Sequence, residues 1–134
     1  MSLLKIPVPA ELLQDIPHEL SYAEEAGYTL IHCSYVSKQM YVNGGWINIW
    51  PTTWLFNEDE TESIILLHAL EVPLAPERYY FQKPGQLKRF TLVFPQLPKS
   101  WQLFSLKEQT ATGDGFMVNR IERNNTGVYH IKLS

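Results

Sequence analysis

From Tyr28 onward the chain is a succession of short runs rich in aromatic and β-branched residues, each closed by glycine, proline, asparagine or a charged cluster. That punctuation limits the fold more than any other feature, because a strand needs such residue types and a tight reversal needs residues that tolerate turn geometry. Eight runs read as strands: 28–36, 45–56, 63–72, 78–82, 87–94, 101–108, 116–123 and 128–133. The turn signals between them include Asn43-Gly44-Gly45, expected to reverse the chain tightly between the strands on either side, the charged stretch 57–62, Pro84-Gly85, and the segments 95–98, 112–115 and 124–127. No helical period competes. Strands spaced in this way predict an all-β antiparallel sandwich of about eight strands.

The segment 1–26 differs, since Pro7, Pro9 and Pro17 interrupt it and 10–16 could form a turn or two of helix at most. It reads as a short N-terminal arm ahead of one β-sandwich domain over 27–134. A chain of 134 residues, 45 % hydrophobic and 19 % charged, suits a single core of this kind.

Alternation assigns faces, because successive strand side chains point oppositely. Phe90, Leu92 and Phe94 share a face expected to be buried, with Arg89 and Thr91 on a wetter one. Ile121 shares a face with Met117. Tyr129, Ile131 and Leu133 form an inward row opposite His130 and Lys132.

The runs 87–108 (LKRFTLVFPQLPKSWQLFSLKE) and 115–134 (GFMVNRIERNNTGVYHIKLS), with GGWINIWPTTWL at 44–55 and ALEVPLAP at 69–76, resemble uncharacterised small β-sandwich domains of Bacteroidetes bacteria. This resemblance covers about two thirds of the chain. It implies an immunoglobulin-like sandwich of unknown function, and it transfers no catalytic residues.

Candidate chemistry is sparse. Trp46, Trp50 and Trp54 fall at even positions of one expected strand, interleaved with Asn48 and Thr52, while Ile47, Ile49 and Leu55 take the other face. Aromatic rings at about 13 Å intervals would suit successive sugar rings or a partner's apolar surface. A competing arrangement puts one row in the core and the other beneath the N-terminal arm, with Pro51 disturbing the phase.

His32 and Cys33 adjoin, but strand neighbours face opposite ways, so they cannot act as base and nucleophile. Cys33, the only cysteine, reads as a small buried apolar residue and permits no internal disulfide. His18, His32, His68 and His130 lie on separate segments without metal-ligand spacing, and Glu58, Asp59, Glu60 and Glu62 lack a calcium-loop register. Asn124-Asn125-Thr126 is a polar turn. Arg120, Glu122 and Arg123 are expected to pair across strands with Lys132 or Glu108.

No catalytic residue, metal ligand or cofactor is assigned. The formal charge of −3 carries no basic block, so neither nucleic acid nor membrane is expected as a partner. The leading expectation is a non-enzymatic domain for protein–protein interaction or self-association, using Trp46, Asn48, Trp50 and Trp54. The alternative is oligosaccharide binding on the same residues, and an enzyme with a composite site ranks third. Location is left open, with the cytoplasm slightly favoured because no export leader is in view.

Overall fold

The computed structural model describes residues 26–133. The expected arm, with its turn of helix and His18, therefore lies outside the described residues except at its last position. Ten strands follow: β1 (Tyr28–Val36), β2 (Trp46–Ile47), β3 (Thr53–Asn57), β4 (Ser63–Ile65), β5 (His68–Leu70), β6 (Tyr79–Tyr80), β7 (Leu87–Pro95), β8 (Leu103–Glu108), β9 (Met117–Glu122) and β10 (Val128–Leu133). No described residue is helical. The strands build two four-stranded sheets, β10-β1-β7-β5 and β4-β3-β8-β9, and a small ribbon, β2-β6. Side chains from both large sheets share one core, among them Ile31, Phe90, Leu92 and Phe94 from the first and Leu55, Phe104 and Leu106 from the second. The chain is thus an all-β sandwich.

One pairing departs from the antiparallel expectation. β1 runs parallel to β10, with Leu30 opposite Val128 and Tyr35 opposite Leu133. Its other side is antiparallel to β7 from Tyr28↔Pro95 to Val36↔Leu87. The reversal expected at Asn43-Gly44-Gly45 therefore does not make a hairpin with β1. Gly44 and Gly45 do adopt φ of 84° and 78°, the left-handed region expected of that triplet, but within a loop.

Two expected strands are divided. The run 45–56 breaks between Ile47 and Thr53, and 63–72 breaks at Leu66-Leu67. The second break transfers the chain between sheets: the Leu66 amide donates to Thr53 O (2.9 Å) in one sheet and the Leu67 amide to Val93 O (2.8 Å) in the other. Continuous apolar spelling hid this change of partner.

The expected faces are partly realised. Phe90, Leu92 and Phe94 are buried as anticipated, yet Thr91 and Val93 on the opposite face are buried too. On that outward side Tyr28, Leu30, Leu67, Val93 and Val128 form a second apolar cluster. Tyr129 and Leu133 enter the main core with Ile131 packed against it, while His130 and Lys132 are exposed.

Met117 and Ile121 do not share a face. The pairing of β8 with β9 shifts register between Phe104 and Leu106, so Ile121 sits opposite Phe104 and Val118 opposite Leu106. Arg120, at φ 58°, lies in that irregular stretch. One inserted residue turns Ile121 inward with Val118 and leaves Met117 exposed beside Lys107.

Candidate functional site

The four candidate residues do not line one strand. Ile47, Ile49 and Leu55 enter the core as expected, but the even positions part company. Trp46 belongs to the β2-β6 ribbon and Trp54 to the sheet β4-β3-β8-β9. Between them, Ile49 bridges Leu74, donating to Pro73 O at 3.0 Å and accepting from the Ala75 amide at 2.9 Å. Trp50 is half-buried, and its backbone amide donates to the Glu108 carboxylate at 2.9 Å. Asn48 donates its side-chain amide to Glu77 O at 2.8 Å.

Two separate surfaces result. The first is the outer face of β4-β3-β8-β9. Register places Ile65 opposite Trp54, Trp54 opposite Lys107 and Lys107 opposite Met117, a row crossing all four strands. Phe56 stands beside it, its ring centroid 6.4 Å from that of Trp54, with the Lys107 ammonium 5.3 Å above the Phe56 ring. Lys107 also pairs with Glu60, which pins the loop after β3 to this face. A cleft lined by Asn57, Glu58, Glu60, Ser105, Asn119 and Arg120 adjoins it.

The second surface is one end of the sandwich. Val36 pairs with Leu87 there, and Trp46 pairs with Tyr80; all four are exposed. Between Val36 and Trp46 the chain projects Met40, Tyr41 and Val42, with 78 %, 53 % and 91 % of their surfaces exposed. Ser37 ties this loop to the segment after β6: its hydroxyl donates to Lys83 O at 2.8 Å, and its carbonyl accepts from the Gly85 amide at 3.0 Å. The Phe81 amide donates to Gly45 O at 3.0 Å, and a Cβ on Gly45 would lie 3.0 Å from the Tyr41 ring. Arg78 stacks 4.1 Å from the Trp46 centroid and Lys88 lies 4.3 Å over Tyr79.

The histidines show what sequence spacing could not. Parallel register sets His32 beside His130, ring centroids 5.1 Å apart, and His32 Nδ1 lies 2.7 Å from Thr91 Oγ1. Burial, and then the neighbouring His130, hold the His32 imidazole below its ordinary value near 6.5. A histidine with a lowered folded pKa contributes stability that is present above the ordinary value and lost as pH falls through the lowered one. We expect NMR titration to place His32 below 6.5, with most of the shift surviving His130→Gln because burial is the larger cause. A His32 that returned to the ordinary value in that variant would reverse the ranking. Among the described residues no three His, Cys, Asp or Glu side chains gather as a metal set.

Cys33 points into the core and its thiol lies 3.7 Å from Ile31 O. Burial pushes it up to about 12. With almost no thiolate at neutral pH, native protein should react with a disulfide reagent at least about a hundredfold more slowly than urea-unfolded protein. Equal rates in a colorimetric thiol assay would contradict this.

The acidic stretch is a self-bonded turn: Asp59 accepts from both the amide and hydroxyl of Thr61, which lowers its carboxyl below the ordinary range. Glu62 accepts from Trp101 Nε1 at 3.0 Å. The Arg123 guanidinium donates to Pro98 O (2.6 Å) and Trp101 O (3.2 Å) and so clasps the loop before β8. Glu108, expected as a surface partner, is instead drawn inward to the backbone amides of Trp50 and Phe116. Burial raises its carboxyl and those two amides oppose the rise.

No described helix is long and apolar enough to cross a membrane. Comparison of the chain with protein-family models, with curated proteins and with solved structures gives no match.

Proposed function

We propose that this chain is a non-enzymatic interaction domain that binds another protein, or a second copy of itself, through the outer face of β4-β3-β8-β9. The observation that carries this reading is the row Ile65–Trp54–Lys107–Met117 with Phe56 alongside. The two inward-facing neighbours of Trp54, Thr53 and Leu55, are buried, so Trp54 is held on a rigid strand and loses little freedom on contact. Large aromatic side chains near the centre of an interface are the groups that dominate association energy.

The potential reactive groups are apart: Cys33 in the core, His32 on the far sheet, Glu108 bound to backbone amides. This separation favours binding over catalysis. The oligosaccharide alternative drew its motive from a continuous strand face through Trp46, Asn48 and Trp50, and β2 ends at Ile47.

A photo-crosslinking residue at exposed Met117, introduced in the source cell, is expected to give a discrete protein adduct. Sedimentation of the purified chain distinguishes a homodimer from a foreign partner. In either case Trp54→Ala should weaken association by at least about tenfold. A monomer at all concentrations with no adduct at Met117 would sink the proposal.

A further inference from the structure

Beyond that reading, and on a different surface, we infer that the end of the sandwich bearing Met40, Tyr41 and Val42 docks on an anionic lipid bilayer surface. The charge distribution is the first ground. Within residues 36–46 and 77–89 stand Lys38, Arg78, Lys83, Lys88 and Arg89 against the single acidic Glu77. The whole chain has 11 basic and 14 acidic side chains, so this end is locally cationic in a protein of net charge −3. The average charge, from which no membrane partner was expected, hides this local excess.

Shape is the second ground. Met40 and Val42, 78 % and 91 % exposed, project from a loop. A convex apolar tip needs a matching groove on a protein, whereas a bilayer interface accommodates it without one. Around the tip, Trp46 and Tyr80 are exposed on the adjoining ribbon, and such rings favour the depth of lipid headgroups. Arg78 and Lys88 rest on aromatic rings, and no described carboxylate forms an ion pair with Lys38, Arg78, Lys83 or Lys88. Ring contacts anchor these side chains without neutralising them, leaving the field available to anionic headgroups.

The loop is also held in place. Ser37 bonds to the backbone of Lys83, Gly85 and Gln86. A side chain on Gly44 would collide with the Lys83 carbonyl, so the two segments approach as closely as backbone permits. The tip and its lysines therefore present together, and both would meet the bilayer at once.

The test is co-sedimentation of the full chain with vesicles of phosphatidylcholine alone and of phosphatidylcholine with about one-third phosphatidylserine. Binding is expected to the anionic vesicles, to weaken as salt rises, and to be at least about tenfold weaker on zwitterionic ones. Val42→Asp removes an exposed apolar group, so its thermal melt should match the parent while binding falls by at least about tenfold. Lys83→Glu should weaken binding by about fivefold or more, whereas Lys99→Glu, the same charge change at an exposed site at the opposite end, should have less effect. Failure to bind anionic vesicles overturns the inference, as does binding that Val42→Asp leaves intact. A crosslinker at Val42 that captured a protein, with no vesicle binding, would assign the tip to a protein partner instead.

Discussion

Gly115→Ala is expected to lower the melting temperature by roughly 10–20 °C, corresponding to a loss of about 3 kcal/mol or more. The reason is backbone proximity. A methyl group built on Gly115 would fall inside the contact distance of the Glu108 carbonyl oxygen and crowd its carbonyl carbon. Those are main-chain atoms, so no rotamer change relieves the overlap. The neighbouring residue closes the pair, since the Glu108 amide donates to Phe116 O at 2.9 Å and the Glu108 carboxylate accepts from the Phe116 amide. Relief requires the start of β9 to move off β8, which would forfeit these bonds and disturb the carboxylate that holds the Trp50 amide. A melt within 3 °C of the parent, about half a kcal/mol, would show that the hairpin yields easily.

Phe104→Ala is expected to cost about 3–5 kcal/mol in urea unfolding, with an unchanged slope. Phe104 on β8 meets Tyr129 on β10 edge to face, centroids 5.1 Å apart and planes at 84°, so one ring pair joins the two sheets across the core. Truncation would leave a cavity among residues that are themselves almost fully buried, including Leu55 and Leu106. Phe104→Leu keeps most of the volume and should cost less than half as much. Equal losses for the two variants would mean that the ring contact, and not filled volume, dominates.

Sequence carried a good part of this fold because turn residues and strand composition are local properties. The bounds expected for 28–36 and 128–133 match β1 and β10, and Phe90, Leu92 and Phe94 are buried as their alternation required. Partnership is not local. Nothing in the residues of β10 announces that it lies parallel to β1, and so nothing announced that His32 and His130 would adjoin. Likewise Leu66 and Leu67 are equally apolar, although each bonds to a different sheet.

The candidate site failed in legibility for a related reason. Counting even positions from Trp46 to Trp54 assumes unbroken pleating, and the path through Ile49 and Pro51 abandons it. Met117 and Ile121 were misassigned to one face by the same assumption, which one irregular residue invalidates. The exposed tip was written openly as Met40-Tyr41-Val42, but it falls between the expected strands 28–36 and 45–56, and residue type alone does not tell exposure.

The parallel contact of β1 and β10 also bears on how the molecule is made. Leu30 finds its partner Val128 nearly a hundred residues later, so the inner strand of the first sheet keeps one edge open while almost all of the described chain is synthesised. At about 5–20 residues per second this is a wait of about 5–20 s. Closing so long a loop entropically precedes any reward from the contacts it brings, which places folding in the slow, millisecond-to-second regime of non-local β topologies. A nascent chain halted before Val128 would display the hydrogen-bonding edge of β1, and that edge is where a chaperone would have to act.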